Sequence, residues 1–215
     1  MSCSGHLRES VGAARCVVTE RVSCAARGAG AILFAALMVS TGIAAPAPFP
    51  VIGKRAPNFL LIDQDDHRVQ VDQFRGKFVL LNFIYTHCTD VCPLTTAALA
   101  RVQRELVLRG WWTKDVVFLT ITTDPLRDTP MVLRAYATRY KADVRGWHFL
   151  TGDPGATQAV YKQYGIAVQA RSGNLQDHTS PTFVIDRDGV VLGAYGTNLN
   201  PEAIVHDLAQ LRAGG

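Results

Sequence analysis

Apolar residues along this chain follow two patterns that alternate. Residues 78–85 and 116–122 are almost continuously apolar, which is typical of strands buried on both faces of a sheet. Between them, apolar residues return every three or four positions, which predicts a helix from about Pro93 to Arg109. After the second run, Asp128-Thr129-Pro130 supplies a cap and a first-turn proline for a helix that we expect to end at Tyr140.

Shorter segments lie before and after this pair of strands. The polar turn 64–67 predicts a short hairpin, and Asp186-Arg187-Asp188-Gly189 is typical of the turn of a second, antiparallel hairpin. The remaining predicted elements are strands at 58–63, 68–71, 147–150, 182–185 and 190–195, and helices that begin at Pro154 and Pro201. Together these elements predict an α/β protein with a thioredoxin-like fold, in which a mixed central sheet carries helices on both faces and follows an N-terminal β-hairpin.

The N-terminal region predicts export from the cytoplasm. Four arginines precede an apolar stretch at 29–39, and no charged residue lies between Arg27 and Lys54. A basic flank before a short apolar core is the pattern of a signal peptide, and a small residue at Ala44 would permit cleavage there. The uncharged run is also nearly long enough to span a bilayer, so residues 1–45 are either a signal peptide or an N-terminal membrane anchor.

The rest of the chain is predicted to consist of a linker and one domain. Residues 46–57 predict a proline-rich linker, and residues 58–213 predict the thioredoxin-like domain. Because the arginines lie only on the N-terminal side of the apolar stretch, we expect the domain to be periplasmic or otherwise extracytoplasmic. It would be held at the inner membrane through the N-terminal segment if that segment is not cleaved.

The composition indicates a folded domain and excludes one class of partner. Apolar residues make up 48% of the chain and charged residues 19%, which is sufficient for a core and argues against disorder. The net charge is +4, but residues 1–44 contribute four arginines against two glutamates. The remainder is nearly neutral and has no basic run, so we expect no nucleic acid partner.

The strongest chemical signal is a pair of cysteines at the end of the first buried strand. Cys3, Cys16 and Cys24 fall in the predicted leader, and only Cys88 and Cys92 remain in the domain. Reactive groups in open α/β sheets gather at the carboxyl ends of strands, and the N-terminus of the following helix stabilises a thiolate. Two nearby thiolates suit Cu(I), and an added imidazole makes a site that also holds Cu(II).

A structural disulfide is the alternative interpretation of the cysteine pair. In an oxidising compartment two cysteines so close in sequence form a disulfide, a metal site, or each in turn. A disulfide between Cys88 and Cys92 would close a very small ring and restrain few unfolded conformations, so it would stabilise the fold only weakly.

Four segments in order resemble the SCO/SenC family. They are Thr86-His87-Cys88-Thr89-Asp90-Val91-Cys92-Pro93, Thr123–Pro130, Gly146–Asp153 and Asp177-His178-Thr179, and the resemblance spans Val51 to Leu211. The family implies copper held by two cysteines and a histidine, which fall here on Cys88, Cys92 and His178. Without the resemblance His178 would be a weak candidate, because a single histidine before a strand is usually a surface residue.

The resemblance also implies a function and partners. It indicates a metallochaperone, rather than an enzyme, that delivers copper to the binuclear copper centre of cytochrome c oxidase. The implied partner is the oxidase subunit that holds this centre, with other periplasmic copper carriers or thiol reductases as further partners. The alternative is an exported thiol–disulfide oxidoreductase that acts through the Cys88/Cys92 dithiol.

Pro181 and the cysteine spacing favour different alternatives. Pro181 lies just before a hairpin strand, where thioredoxin-like reductases carry a cis-proline and the copper family more often has an aliphatic residue. This position favours thiol–disulfide chemistry, whereas the three-residue gap between Cys88 and Cys92 differs from the two-residue gap of dedicated reductases. Pro181 is also compatible with a plain strand-start proline.

Several residues near the motifs have two interpretations each. Asp177 orients the His178 imidazole or is an ordinary loop carboxylate. Asp90 adds negative charge between the cysteines or caps the helix. Asp128 is predicted to cap a helix with Thr129, and Asp124 to form a turn or to support the site. His87 is expected to point away from the cysteines and to have no ligand role.

Overall fold

The computed structural model describes residues 49–172 and 175–214. The chain divides into two units, Met1–Ala44 and Ala45–Gly215, and everything described below belongs to the second. The predicted signal peptide or anchor at 1–45 lies outside the described residues, as do residues 46–48 of the predicted linker. Among the helices that the structure does describe, none has both the length and the apolar character needed to cross a membrane.

The described unit contains nine strands and four α-helices. The strands are β1 (Leu61–Ile62), β2 (Arg68–Val69), β3 (Phe78–Ile84), β4 (Val116–Thr122), β5 (Trp147–Leu150), β6 (Val168–Ala170), β7 (Gln176–His178), β8 (Thr182–Ile185) and β9 (Val191–Tyr195). The helices are α1 (Val91–Leu108), α2 (Pro130–Arg139), α3 (Pro154–Gln163) and α4 (Pro201–Gly214), with a 3-10 turn at Val71–Phe74.

Five strands form the central sheet in the order β5-β4-β3-β8-β9. Strands β3, β4 and β5 are parallel, and β8 is antiparallel to both β3 and β9. The predicted mixed sheet and thioredoxin-like fold are therefore confirmed. Since β3 and β4 are parallel, their carboxyl ends, at Ile84 and Thr122, meet at the same edge of the sheet.

Each face of the sheet has its own apolar core, because successive side chains of a strand point to opposite faces. Within β3, Leu81 and Phe83 contribute to one core, and Leu80 and Ile84 contribute to the other. Helix α3 and the N-terminal hairpin cover the first core, and helices α1, α2 and α4 cover the second. All seven residues of β3 are buried, as the continuous apolar run predicts.

Helix α1 begins at Val91, two residues before the predicted start at Pro93. Pro93 is therefore the third helical residue, where the missing N–H costs nothing because first-turn amides have no partner within the helix. The earlier start places Cys92 inside the first turn and Cys88 just before it.

Part of the predicted linker packs against the domain. Val51 and Ala56 are buried, and the Gly53 amide donates to the Val191 carbonyl at 2.8 Å. The ring of Phe49 contacts Phe183 edge to face, with centroids 5.2 Å apart. The ordered fold therefore begins before residue 58, because apolar residues between the prolines reach the core.

One hairpin was not predicted from the sequence. Strands β6 and β7 pair antiparallel, with Val168 opposite His178 and Ala170 opposite Gln176. Their side chains are mostly polar and partly or fully exposed, so the segment has no hydrophobic periodicity that would indicate strands. This hairpin carries His178.

Candidate metal site

The site begins where β3 ends and the chain turns into α1. The Cys88 amide donates to the Tyr85 carbonyl at 3.2 Å, which closes the turn. Thr86 is held by the buried carboxylate of Asp128, which accepts from the Thr86 amide at 3.1 Å and from the Thr86 hydroxyl. The Thr122 hydroxyl, at the end of β4, also donates to Asp128. Asp128 therefore ties the cysteine turn to the neighbouring strand.

The two cysteines are free thiols with different environments. Cys92 is only 1% exposed, whereas Cys88 is partly exposed. The Cys92 amide, in the first turn of α1, points at the Cys88 sulfur at 3.4 Å. Hydrogen bonds from the Cys92 thiol and from nearby backbone amides lower the pKa of Cys88 to about 5, despite partial burial. Hydrogen bonding to Cys88 and burial raise the pKa of Cys92, so the pair shares one proton, held by Cys92.

His178 brings an imidazole to the same place from the end of β7. Its Nε2 lies 3.4 Å from the sulfur of Cys92, and its Nδ1 lies 3.0 Å from the carbonyl oxygen of Thr179. A carbonyl oxygen only accepts hydrogen bonds, so Nδ1 carries the proton and Nε2 presents its lone pair to the thiols. Burial lowers the pKa of His178, which favours this neutral form. The structure thus brings together the three side chains that the sequence singles out.

A cavity of about 310 Å³ opens over Cys88 and His178. Tyr85, Arg171 and Leu175 also line it. Cys88 and His178 can be reached from this cavity, whereas Cys92 lies behind them in the core.

Asp177 does not orient the imidazole through a hydrogen bond. Its carboxylate forms an ion pair with Arg171 at 2.5 Å, and its side chain is 52% exposed. The partners of the His178 Nδ1 are instead the Thr179 carbonyl and the Ser180 hydroxyl, the latter at 3.3 Å. Of the two interpretations of Asp177, the geometry favours the loop carboxylate.

The other acidic residues differ in part from their predicted roles. Asp90 occupies the cap position of α1 but makes no side-chain hydrogen bond there, so it does not cap the helix in that way. The side chain of Thr129 caps α2, whereas Asp128 accepts from Thr86 and Thr122, so the prediction that Asp128 caps this helix was wrong. Asp124 forms a turn through its carbonyl and an ion pair with Arg127 at 2.5 Å.

His87 is exposed, and its Nδ1 lies 3.3 Å from the Thr86 hydroxyl. It makes no described contact with either sulfur.

Tyr85 was not predicted to belong to the site from the sequence, where it is only the last residue of an apolar strand. The Tyr85 hydroxyl binds both backbone groups of Gln176, 91 residues away, and no local pattern indicates such a contact.

The order of these motifs along the chain matches a known family. The SCO1/SenC family model matches residues 53–213. The chain belongs to the SCO1/SenC family. This confirms the resemblance that the four sequence segments indicate.

Known SCO relatives cover most of the domain. The SCO1 protein homolog of Bacillus subtilis is 29% identical over 140 residues, which is 64% of this chain and 71% of that protein. The solved structure of Bradyrhizobium japonicum ScoI with copper bound is 28% identical, covers 73% of this chain and 99% of its own, and superposes with a TM-score of 0.65. The structure of BsSco, a member of the Sco family of cytochrome c oxidase assembly proteins with a disulfide switch, is 26% identical. It covers 75% of this chain and 95% of its own, with a TM-score of 0.65.

Proposed function

We propose that this SCO1/SenC protein is a copper metallochaperone. It binds one copper ion through Cys88, Cys92 and His178 and delivers it to the binuclear copper centre of cytochrome c oxidase. The observation that carries the proposal is the 3.4 Å approach of the His178 Nε2 to the Cys92 sulfur, beside the Cys88 thiolate. The copper-bound ScoI relative and the oxidase-assembly relative support the same conclusion.

The donor atoms suit copper better than the common hard cations. Two sulfurs are soft ligands that favour Cu(I), and a neutral imidazole adds a ligand that Cu(II) prefers. Ligand cysteines must be deprotonated, and Cys88, whose pKa is lowered to about 5, already is at neutral pH. Binding would then release the proton of Cys92.

The accessibility of the ligands fits delivery of the metal. Cys88 and His178 line the cavity, so an incoming ligand of a partner reaches the copper from that side. Cys92 is 1% exposed and would release the ion last. We place the reaction outside the cytoplasm, since residues 1–45 predict an export signal or anchor and one solved relative is a SCO1/SenC lipoprotein.

The test is copper titration of the purified, reduced protein. We expect one equivalent of Cu(II) to be retained against a chelator, with a thiolate-to-copper charge-transfer band. His178→Ala should weaken Cu(II) binding at least about tenfold, because one of three ligands is lost. His87→Ala is the matched control, since this exposed histidine next to Cys88 touches neither sulfur. Failure of the wild-type protein to retain copper, or wild-type affinity in His178→Ala, would overturn the proposal.

A second function is favoured by the unequal cysteines. Cys88 is a partly exposed thiolate, and Cys92 is a buried thiol beside it, an arrangement suited to thiol–disulfide exchange. Cys88 would attack a partner's disulfide and release one partner thiolate. Cys92, after losing its proton, would then attack the Cys88 sulfur and release the second. Reduction of a disulfide substrate should be abolished in Cys88→Ser and nearly unchanged in His178→Ala, the reverse of the copper-binding result for His178.

A further inference from the structure

His178 lies on the β6–β7 hairpin, which is not part of the central sheet. Within the described residues, β6 and β7 form a separate two-stranded sheet and pair with no strand of the five-stranded one. The two cysteines, in contrast, are fixed by the end of β3 and the start of α1. The distance between imidazole and thiols therefore depends on whatever attaches this hairpin to the sheet.

The pairing of the hairpin leaves the backbone of Gln176 directed outward. The Arg171 amide donates to the Leu175 carbonyl, and the Thr179 amide donates to the Ala167 carbonyl. Ala170 and Gln176, between these pairs, therefore form a non-hydrogen-bonded pair of the antiparallel ladder. In such a pair the N–H and C=O groups point away from the partner strand and need partners elsewhere.

The hydroxyl of Tyr85 satisfies both of these backbone groups. It donates to the Gln176 carbonyl at 3.0 Å and accepts from the Gln176 amide at 3.2 Å. A single side-chain hydroxyl thus takes the place of a neighbouring strand along the free edge of β7. Because Tyr85 immediately follows β3, this contact attaches the hairpin to the carboxyl end of the central sheet.

Tyr85 also contacts the residues on both sides of the metal site. The residue is 3% exposed, and its ring packs edge to face against the His178 imidazole, with centroids 5.7 Å apart. Its carbonyl accepts from the Cys88 amide at 3.2 Å. One residue therefore touches both the imidazole and the turn that presents the thiols.

A second contact holds Gln176, the hairpin residue that the Tyr85 hydroxyl binds. The Thr123 hydroxyl donates to the side-chain carbonyl oxygen of Gln176 at 2.9 Å. The Thr123 amide in turn donates to the Ile84 carbonyl at 2.7 Å, so Thr123 belongs to the end of the sheet. Gln176 is thus held at its backbone by Tyr85 and at its side chain by Thr123, two residues before His178.

We propose that Tyr85 is a positioning residue of the copper site. Its hydroxyl holds the Gln176–His178 strand against the cysteine turn and so keeps the imidazole within ligand distance of Cys92. The inference deepens the proposed copper function and rests on it for the metal measurements. It predicts a difference between oxidation states, since Cu(II) depends on the imidazole whereas Cu(I) is held mainly by the two thiols.

The test compares Tyr85→Phe with Tyr164→Phe in the full chain. Tyr164 is a fully buried tyrosine whose hydroxyl also donates to a backbone carbonyl, that of Pro57 at 3.2 Å. Each variant loses one hydroxyl and keeps its ring, so the control reports the general cost of a lost buried hydrogen bond. The melting temperatures of both variants show whether they remain folded.

Two readouts separate positioning from general stability. In the reduced, metal-free protein, Tyr85→Phe should increase amide hydrogen exchange at residues 176–178 by about tenfold or more and weaken the nuclear Overhauser effect between the His178 ring and the Cys92 side chain. With copper, it should weaken Cu(II) binding by about tenfold and diminish the charge-transfer band, while Cu(I) affinity stays within about threefold. Tyr164→Phe should change none of these.

Failure of the positioning role of Tyr85 gives a different result from failure of the proposed copper function. If Tyr85→Phe keeps wild-type exchange at 176–178 and wild-type Cu(II) affinity, the positioning role is overturned while copper binding stands. If the wild-type protein retains no copper, the proposed function fails. The metal-free exchange and ring contact then decide the role of Tyr85 by themselves.

Discussion

The imidazole Nε2 of His178 lies 3.4 Å from the sulfur of Cys92, although 86 residues separate the two along the chain. Cys92 is fixed by the first turn of α1, and His178 by the end of a hairpin outside the central sheet. A metal bound between them would join the start of α1 to the β6–β7 hairpin. Copper binding should therefore stabilise the folded state as well as depend on it.

The two thiols should differ sharply in reactivity. Iodoacetamide alkylates thiolates, so labelling of Cys88 in the reduced protein should rise through a pKa of about 5 and be complete at neutral pH. Cys92 should stay unlabelled in the folded protein, because it is buried and burial and hydrogen bonding raise its pKa. Mass spectrometry after timed labelling across the pH range measures both rates.

The same experiment tests why the pKa of Cys88 is low. The largest cause is the hydrogen bond from the Cys92 thiol, so Cys92→Ala should raise the pKa of Cys88 toward that of an ordinary thiol. Cys88→Ser is the control that removes the labelled site. A Cys88 that titrates like an ordinary thiol in the wild-type protein would contradict the prediction.

Burial of His178 should make stability depend on pH. Burial lowers the pKa of His178 below the usual value of 6.5, so the unfolded chain takes up a proton there before the folded protein does. The contribution of His178 to the free energy of unfolding is therefore present above that pH and lost as the pH falls below it. Urea unfolding of the reduced, metal-free protein between pH 5 and 8 measures this dependence.

His178→Gln provides the comparison for this pH effect. The variant lacks the titrating group, so its stability should fall less than that of the wild-type protein as the pH is lowered from about 7 to 5. A nuclear magnetic resonance titration of the imidazole should also give a pKa below the usual histidine value. Identical pH profiles for the two proteins would be incompatible with a partly buried His178 that is neutral.

Asp128 should matter more for stability than its place before a helix suggests. It is fully buried and accepts hydrogen bonds from Thr86 and Thr122, so Asp128→Ala leaves the buried Thr122 hydroxyl and the partly buried Thr86 donors without this partner. We expect a loss of about 3 kcal/mol in the free energy of unfolding, measured by urea denaturation. Copper binding should also weaken, since Thr86 lies within the turn that presents Cys88.

Asp177→Asn is the matched control for Asp128. Asp177 is half exposed and paired with Arg171 at the surface, so its loss should cost less than about 1 kcal/mol. It should also leave Cu(II) affinity within about threefold, because the imidazole is held by Thr179 and Ser180. Equal losses in the Asp128 and Asp177 variants would contradict the assigned role of Asp128.

Local sequence patterns are sufficient to predict the central sheet and the position of the two cysteines of the site. Continuous apolar runs predict β3 and β4, because a strand buried on both faces has no solvent-exposed face that would require polar residues. Cys88 and Cys92 are placed by local structure, the end of a strand and the first turn of the following helix. These features depend on neighbours within a few residues, so a local pattern predicts them.

The approach of the imidazole to the thiols depends instead on contacts between residues that are far apart in the sequence. The hairpin that carries His178 is short and polar, and it is held by a tyrosine hydroxyl 91 residues earlier in the chain. Asp128, which follows β4, likewise binds Thr86, which follows the neighbouring strand β3, instead of capping α2. Contacts of this kind join backbone and side-chain groups distant in sequence and leave no periodicity, because the folded sheet alone brings their partners together.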